Sequence, residues 1–124
     1  MQDDVSRGRL STHVLDAARG LPAAGLRLSL YRLAGGGARD RLGDYVTNAD
    51  GRTDAPLLSG AELIPGQYEI LFLAGDWLRE NQLAGGDHLF LDQIPIRFGI
   101  SAPGQHLHVP LLLSPFAYST YRGS

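Results

Sequence analysis

The chain contains no cysteine, and that one absence excludes disulfide staples, thiolate catalysis, Cys-ligated zinc and iron–sulfur clusters together. Lysine is missing too, since all 11 basic residues are arginine, so Schiff-base chemistry and the P-loop lysine are also excluded. No run approaches the ~20 consecutive apolar residues that a helix needs to cross a bilayer. The first ten residues include Asp3, Asp4, Arg7 and Arg9 and no apolar stretch, which is unlike a signal peptide. The expectation is a cytoplasmic protein with no membrane partner. Neither sign of charge dominates: a net charge of -2 gives no field to hold a phosphate backbone, so nucleic acid is not an expected partner. What is present is 124 residues, 44% of them apolar, enough for one core that hides roughly two-thirds of the chain's surface. A single domain over 1–124 is expected, with 1–8 as a flexible N-terminal segment.

Gly and Pro recur between stretches of alternating apolar residues, the pattern of short strands in an all-β sandwich or barrel. From Leu26, the run GLRLSLYRL puts Leu26, Leu28 and Leu30 on one face and Arg27, Ser29 and Tyr31 on the other. Gly35, Gly36 and Gly37 read as a reversing loop. Neither the P-loop spacing nor an opening helix accompanies them, so they are not a phosphate cradle. Asn48-Ala49-Asp50-Gly51 is a second turn that delivers Arg52 to the start of a short strand. Gly66 to Leu73 is apolar enough on both faces to lie centrally. Asp76 is a candidate N-cap for one short helix over Trp77 to Leu83, and Asp76 with Glu80 reads as a solvated face. Gln93 to Ile100 reads as an edge or bulged strand because of Pro95 and Gly99. Pro103-Gly104 turns the chain into HLHVPLLLSP, and Tyr118 to Tyr121 forms the last strand.

The four histidines can be weighed singly. His106 and His108 share a strand face, but two imidazoles with no adjacent carboxylate make a poor metal site. His88 in LAGGDHLF is a loop residue. His13 in LSTHVLD lies on a strand, where a histidine is ordinarily a hydrogen-bonded structural residue. Arg52 after its turn is ordinarily a surface charge, yet its planar fork of donors also suits an anionic, carbonyl-rich ligand. The tail TYRGS follows an alternating apolar run, and either frays or is tied down. The residues alone thus give a small β protein with a His, His, Arg cluster in prospect.

Three separated segments carry a resemblance: LSTHVLDAARGLPAAGL (Leu10 to Leu26), DGRTDAPLL (Asp50 to Leu58) and HLHVPLLLSPFAYSTYRGS (His106 to Ser124). In this order and spacing the chain resembles the 5-hydroxyisourate hydrolases, the transthyretin-related enzymes of urate breakdown, and the terminal YRGS is the most telling piece. The resemblance implies a transthyretin-like β-sandwich of two four-stranded sheets with one short helix. It implies a homotetramer, built as a dimer of dimers, with sites at subunit interfaces. It also implies hydrolysis of a ring amide of 5-hydroxyisourate to 2-oxo-4-hydroxy-4-carboxy-5-ureidoimidazoline, with no metal and no organic cofactor. Position by position, the family's catalytic groups fall on His13, Arg52, His108 and Ser124, and substrate contacts fall on Arg52, Tyr121, Ser124 and His106, with Arg122 also matching the tail motif. Leu107 stands where the family usually has Tyr, and Ala117 where Gly is common. The stretch from Arg79 to Phe98 matches more loosely.

The chemistry implied is attack by an activated water, since no Cys, Lys or GxSxG nucleophile is present. Either His13 or His108 can serve as base, with Arg52 holding substrate oxygens and Ser124 orienting substrate or water. The competing reading is a non-enzymatic, transthyretin-like binding protein for a hormone-type small molecule, because fold alone does not decide function. The carrier branch has Lys, Glu and Thr where this chain has His13, Arg52 and His108, which favours the hydrolase.

Overall fold

Residues 7–123 are described by the computed structural model. In chain order they form β1 (Arg9–Asp16), β2 (Leu21–Pro22), β3 (Arg27–Leu33), β4 (Arg39–Val46), β5 (Leu58–Ser59), β6 (Gly66–Leu73), α1 (Ala74–Glu80), β7 (Gln93–Ile100), β8 (His106–Ser114) and β9 (Ala117–Thr120). Two sheets result. The second runs β4-β3-β6-β7, and the first runs β2-β1-β8-β9 with β5 also on β1. The two-residue strands β2 and β5 share one edge of β1, so the first sheet has five strands and the second the expected four.

Strict alternation explains the layering. Along β1 the even positions from Leu10 to Asp16 are buried and the odd positions face outward. Along β8, Leu107, Val109, Leu111 and Leu113 point inward. They meet Leu28, Leu30, Tyr68, Ile70 and Phe72 of the second sheet in one apolar cluster. Each such side chain contributes roughly 1.5–3 kcal/mol by leaving water. Leu107 therefore packs in the core, opposite His106 and His108.

Several expectations need correction. The helix begins at Ala74, three residues earlier than the sequence pattern indicated, and Leu73 precedes it without any side-chain cap. Asp76 thus lies in its first turn. Burial outweighs capping here: Ala74, Gly75, Trp77 and Leu78 are all buried, the Trp77 indole donates to the Ala24 carbonyl at 2.7 Å, and the Gly75 amide donates to that of Asp92 at 2.8 Å. A positive φ of 58° at Gln82 follows the helix end, so Leu83 lies beyond it. β7 is an edge strand, as expected, but its pairing with β6 is unbroken. The bulge sits instead between Leu30 and Tyr31 on the β3–β4 pair. The last strand ends at Thr120. Pro110 explains this, because continuing the β8–β9 register puts Pro110 opposite Tyr121, and proline has no amide hydrogen to donate.

Candidate functional site

The odd positions of β1 and the even positions of β8 share the outer face of the first sheet. Their parallel register sets Arg9 beside His106, Ser11 beside His108 and His13 beside Pro110. This brings the His13 and His108 rings to 6.3 Å between centroids, although 95 positions separate them in sequence. Ser11 Oγ lies 2.8 Å from His108 Nδ1, a hydrogen bond on the same face.

Arg52 arrives through the turn after β4. It does not begin a strand, as its sequence context suggested, but makes a single antiparallel bridge with His13. Asn48 builds this turn: its side-chain carbonyl accepts the amides of Asp50 at 2.9 Å and Arg52 at 3.2 Å, and its side-chain amide donates to Asp54 at 3.0 Å. Gly51 is required where it stands. Its φ is +78°, its carbonyl accepts the Val14 amide at 2.8 Å, and a Cβ there would lie 2.4 Å from the Val14 carbonyl oxygen. The turn also fixes His13, whose Nε2 donates to the Asp50 carbonyl at 3.0 Å, because a carbonyl only accepts.

On the other side of β8 the tail returns. The Gly123 amide donates to the His108 carbonyl at 2.8 Å, and a Cβ on Gly123 would sit 2.7 Å from His108 Cδ2. The tail is thereby tied beside His108 at Gly123. Ser124 itself lies outside the described residues, as does most of the expected flexible segment 1–8.

A cleft of about 350 Å³ opens on this face, lined by Arg9, Ser11, Arg52, Asp54, His106 and His108 among others. His13 sits against Arg52 but is not among the lining residues. Tyr121 and Arg122 lie elsewhere, on a more apolar cleft of about 280 Å³ with Ile96, Phe98, Leu107 and Val109. His88 is an exposed loop residue.

Among the described residues, Arg52 has no hydrogen-bond or ion-pair partner for its guanidinium. That open positive charge acts on both imidazoles. Burial, and then the Arg52 charge, hold His13 below the ordinary histidine range, against the opposing pull of its bond to Asp50. Burial, then Arg52, then His13 and His106 do the same to His108. Both rings are therefore neutral near pH 7 and able to accept a proton. Among the described residues, no three His, Asp or Glu groups are arranged to hold a metal ion. Sequence reasoning passed over Ser11 and Asn48. Ser11 was legible by its period-2 spacing from His13, whereas Asn48 read only as a turn residue.

The family model described as the HIUase/Transthyretin family matches residues 10–123. The chain belongs to that family. It is 59% identical over 117 residues to a 5-hydroxyisourate hydrolase of Mesorhizobium japonicum, covering 94% of this chain and 93% of that one. The solved (S)-allantoin synthase superposes with a TM-score of 0.88 at 45% identity over 94% of this chain, and this chain spans 44% of that protein's length. A Klebsiella pneumoniae 5-hydroxyisourate hydrolase gives 0.77 at 37% identity, covering 94% of this chain and 99% of the other. Transthyretin from Sparus aurata gives 0.81 at 26% identity, covering 93% and 96%. Within the family, sequence thus lies nearer the hydrolases, while the fold is shared by both branches.

Proposed function

We propose that this protein is a hydrolase of 5-hydroxyisourate, working without metal or organic cofactor on a cyclic amide. The observation that carries the reading is a guanidinium left open beside two neutral imidazoles, on the residues to which the resemblance assigns the catalytic roles. Full-length relatives of that name support it over hormone binding.

A water molecule adds to the ring carbonyl carbon while a histidine takes its proton. Arg52 holds the oxygen on which negative charge gathers in the tetrahedral intermediate. The ring C–N bond then breaks, the imidazolium returns its proton to the leaving nitrogen, and the former carbonyl carbon remains in the opened product as a carboxylic acid that ionises. Arg9 and His106 line the same cleft and suit an anionic, carbonyl-rich ring. Ser124 orients substrate or water, and the residue before it, Gly123, is held beside His108. Tyr121 belongs to the site through a neighbouring copy in a homotetramer built as a dimer of dimers. Its exposed ring and its place on the separate apolar cleft are consistent with that role. A cytoplasmic location completes the proposal. No helix among the described residues is long and apolar enough to cross a membrane.

The deciding experiment generates 5-hydroxyisourate from urate with urate oxidase and follows its ultraviolet decay with and without the protein. Acceleration is expected, with a marked loss in Ser124→Ala. An unchanged decay with the wild-type protein would reject the hydrolase.

A further inference from the structure

We propose that Ser11 is a positioning residue that fixes the tautomer of His108, accepting the Nδ1–H in its hydroxyl oxygen so that Nε2 faces the cleft as the proton acceptor. The inference rests on the hydrolase reading and goes beyond it by naming which imidazole nitrogen works and what holds it there.

The two faces of the His108 ring edge are occupied differently. Nδ1 lies 2.8 Å from Ser11 Oγ on the β1 side. Cδ2 faces the tail, so close to Gly123 that a methyl group there would come within 2.7 Å. The ring is thus clamped between Ser11 of the neighbouring strand and Gly123 of the tail, and Nε2 is the nitrogen left for the cleft. His13 is already committed in a different sense, with Nε2–H given to the Asp50 carbonyl.

A serine is suited to this task because its hydroxyl oxygen accepts from Nδ1–H both in the neutral ring and in the imidazolium. The ring therefore keeps one orientation through the proton cycle. A carboxylate in the same place would hold the imidazolium more tightly and make the proton harder to return. Arg52, and then His13 and His106, are the neighbours whose electrostatics bear on His108, and Arg9 and Asp54 line the same cleft. None of them supplies a partner for Nδ1. The bond lies between β1 and β8 at a position fixed by their register, Ser11 opposite His108, so backbone pairing sets its geometry.

The test combines spectroscopy with kinetics. Nitrogen-15 NMR of the wild-type protein should show neutral His108 protonated at Nδ1, and Ser11→Ala should move that proton to Nε2. In Ser11→Ala, kcat should fall about tenfold with KM within about twofold, as expected when proton transfer but not binding is impaired. Its acidic limb should move to lower pH, because the imidazolium has lost an acceptor. Ser11→Thr, which keeps the hydroxyl, should restore the tautomer, kcat and limb. A wild-type His108 protonated at Nε2 when neutral overturns the inference, and so does Ser11→Ala with wild-type kcat and an unmoved limb. Failure of the wild-type protein to hydrolyse 5-hydroxyisourate would reject the function instead, and the NMR measurement would still decide the Ser11 bond.

Discussion

Arginine stands at the outer face of each sheet, and the two faces use it in opposite ways. On the second sheet, Glu69 is 2% exposed and accepts from Arg39 at 2.6 Å and Arg97 at 3.0 Å. Arg39 also stacks 4.0 Å over the Tyr31 ring, and Arg41 pairs with Asp44 at 3.3 Å. Each of these three arginines meets a carboxylate where it stands, two of them sharing Glu69. On the first sheet, Arg52 meets no carboxylate among the described residues and stands beside two imidazoles whose protons it repels. A cation whose charge is already matched holds a fold together, whereas one left open beside groups of lowered basicity is available to a ligand.

The largest effect expected is at His108. His108→Asn keeps the size and polarity of the side chain and removes the proton acceptor, so kcat should fall by about 10²–10⁴-fold, the range of positioned acid–base catalysis. Steady-state kinetics in the urate oxidase-coupled assay measures it, with circular dichroism as the check on folding. A folded His108→Asn protein with wild-type kcat would remove the imidazole from the mechanism.

A matched pair of variants tests the contrast between the faces directly. Arg52→Gln should lose about 10²–10³-fold in kcat/KM, as when one preorganised donor to an oxyanion is removed, with its urea midpoint almost unchanged. Glu69→Gln should behave in the opposite way. It strips a charge-assisted pair from a buried position and should cost about 1–3 kcal/mol of stability, with kcat/KM intact. The contrast fails if Arg52→Gln unfolds the protein while retaining its rate, or if Glu69→Gln abolishes turnover in protein that remains folded.

How much of this was legible beforehand differs from element to element. The outward placement of His106 and His108, and the inward placement of Leu107, followed from period-2 alternation alone, because one face of β8 is fully buried. The closeness of His13 to His108 did not follow. It depends on β1 and β8 being parallel neighbours, a pairing across nearly the whole chain that no local pattern encodes. Family resemblance supplied it instead. The helix start was misplaced because Asp76 offered a local capping signal, while burial of Ala74 and Trp77 set the boundary. Arg52 was singled out correctly as arriving after a turn. That the turn is organised by the Asn48 side chain, and that Arg52 bridges to β1 rather than starting a strand, are tertiary facts. Glu69 lies within a run whose pattern says only that it is a central strand, and nothing local in it signals that two arginines from β4 and β7 cover it.

The smallest effect expected is on the pH dependence of stability, and its sign separates the two faces again. His13 and His108 have folded-state basicities lowered from the ordinary histidine value of 6.5. Above that value both are neutral whether the chain is folded or not, and they add no pH dependence. As pH falls through it, the unfolded chain takes up protons that the folded one still refuses, so the equilibrium moves toward unfolding until the folded rings protonate as well. Urea midpoints should therefore decline from about pH 7 to pH 5, modestly, because both rings keep contact with solvent. In His108→Asn one of the two refusing groups is gone, and the decline should be shallower by that group's share. Midpoints that fall equally steeply in wild type and His108→Asn would mean that His108 is not held neutral by its burial and the open Arg52 charge, and the distinction drawn between matched and unmatched arginines would lose its electrostatic support.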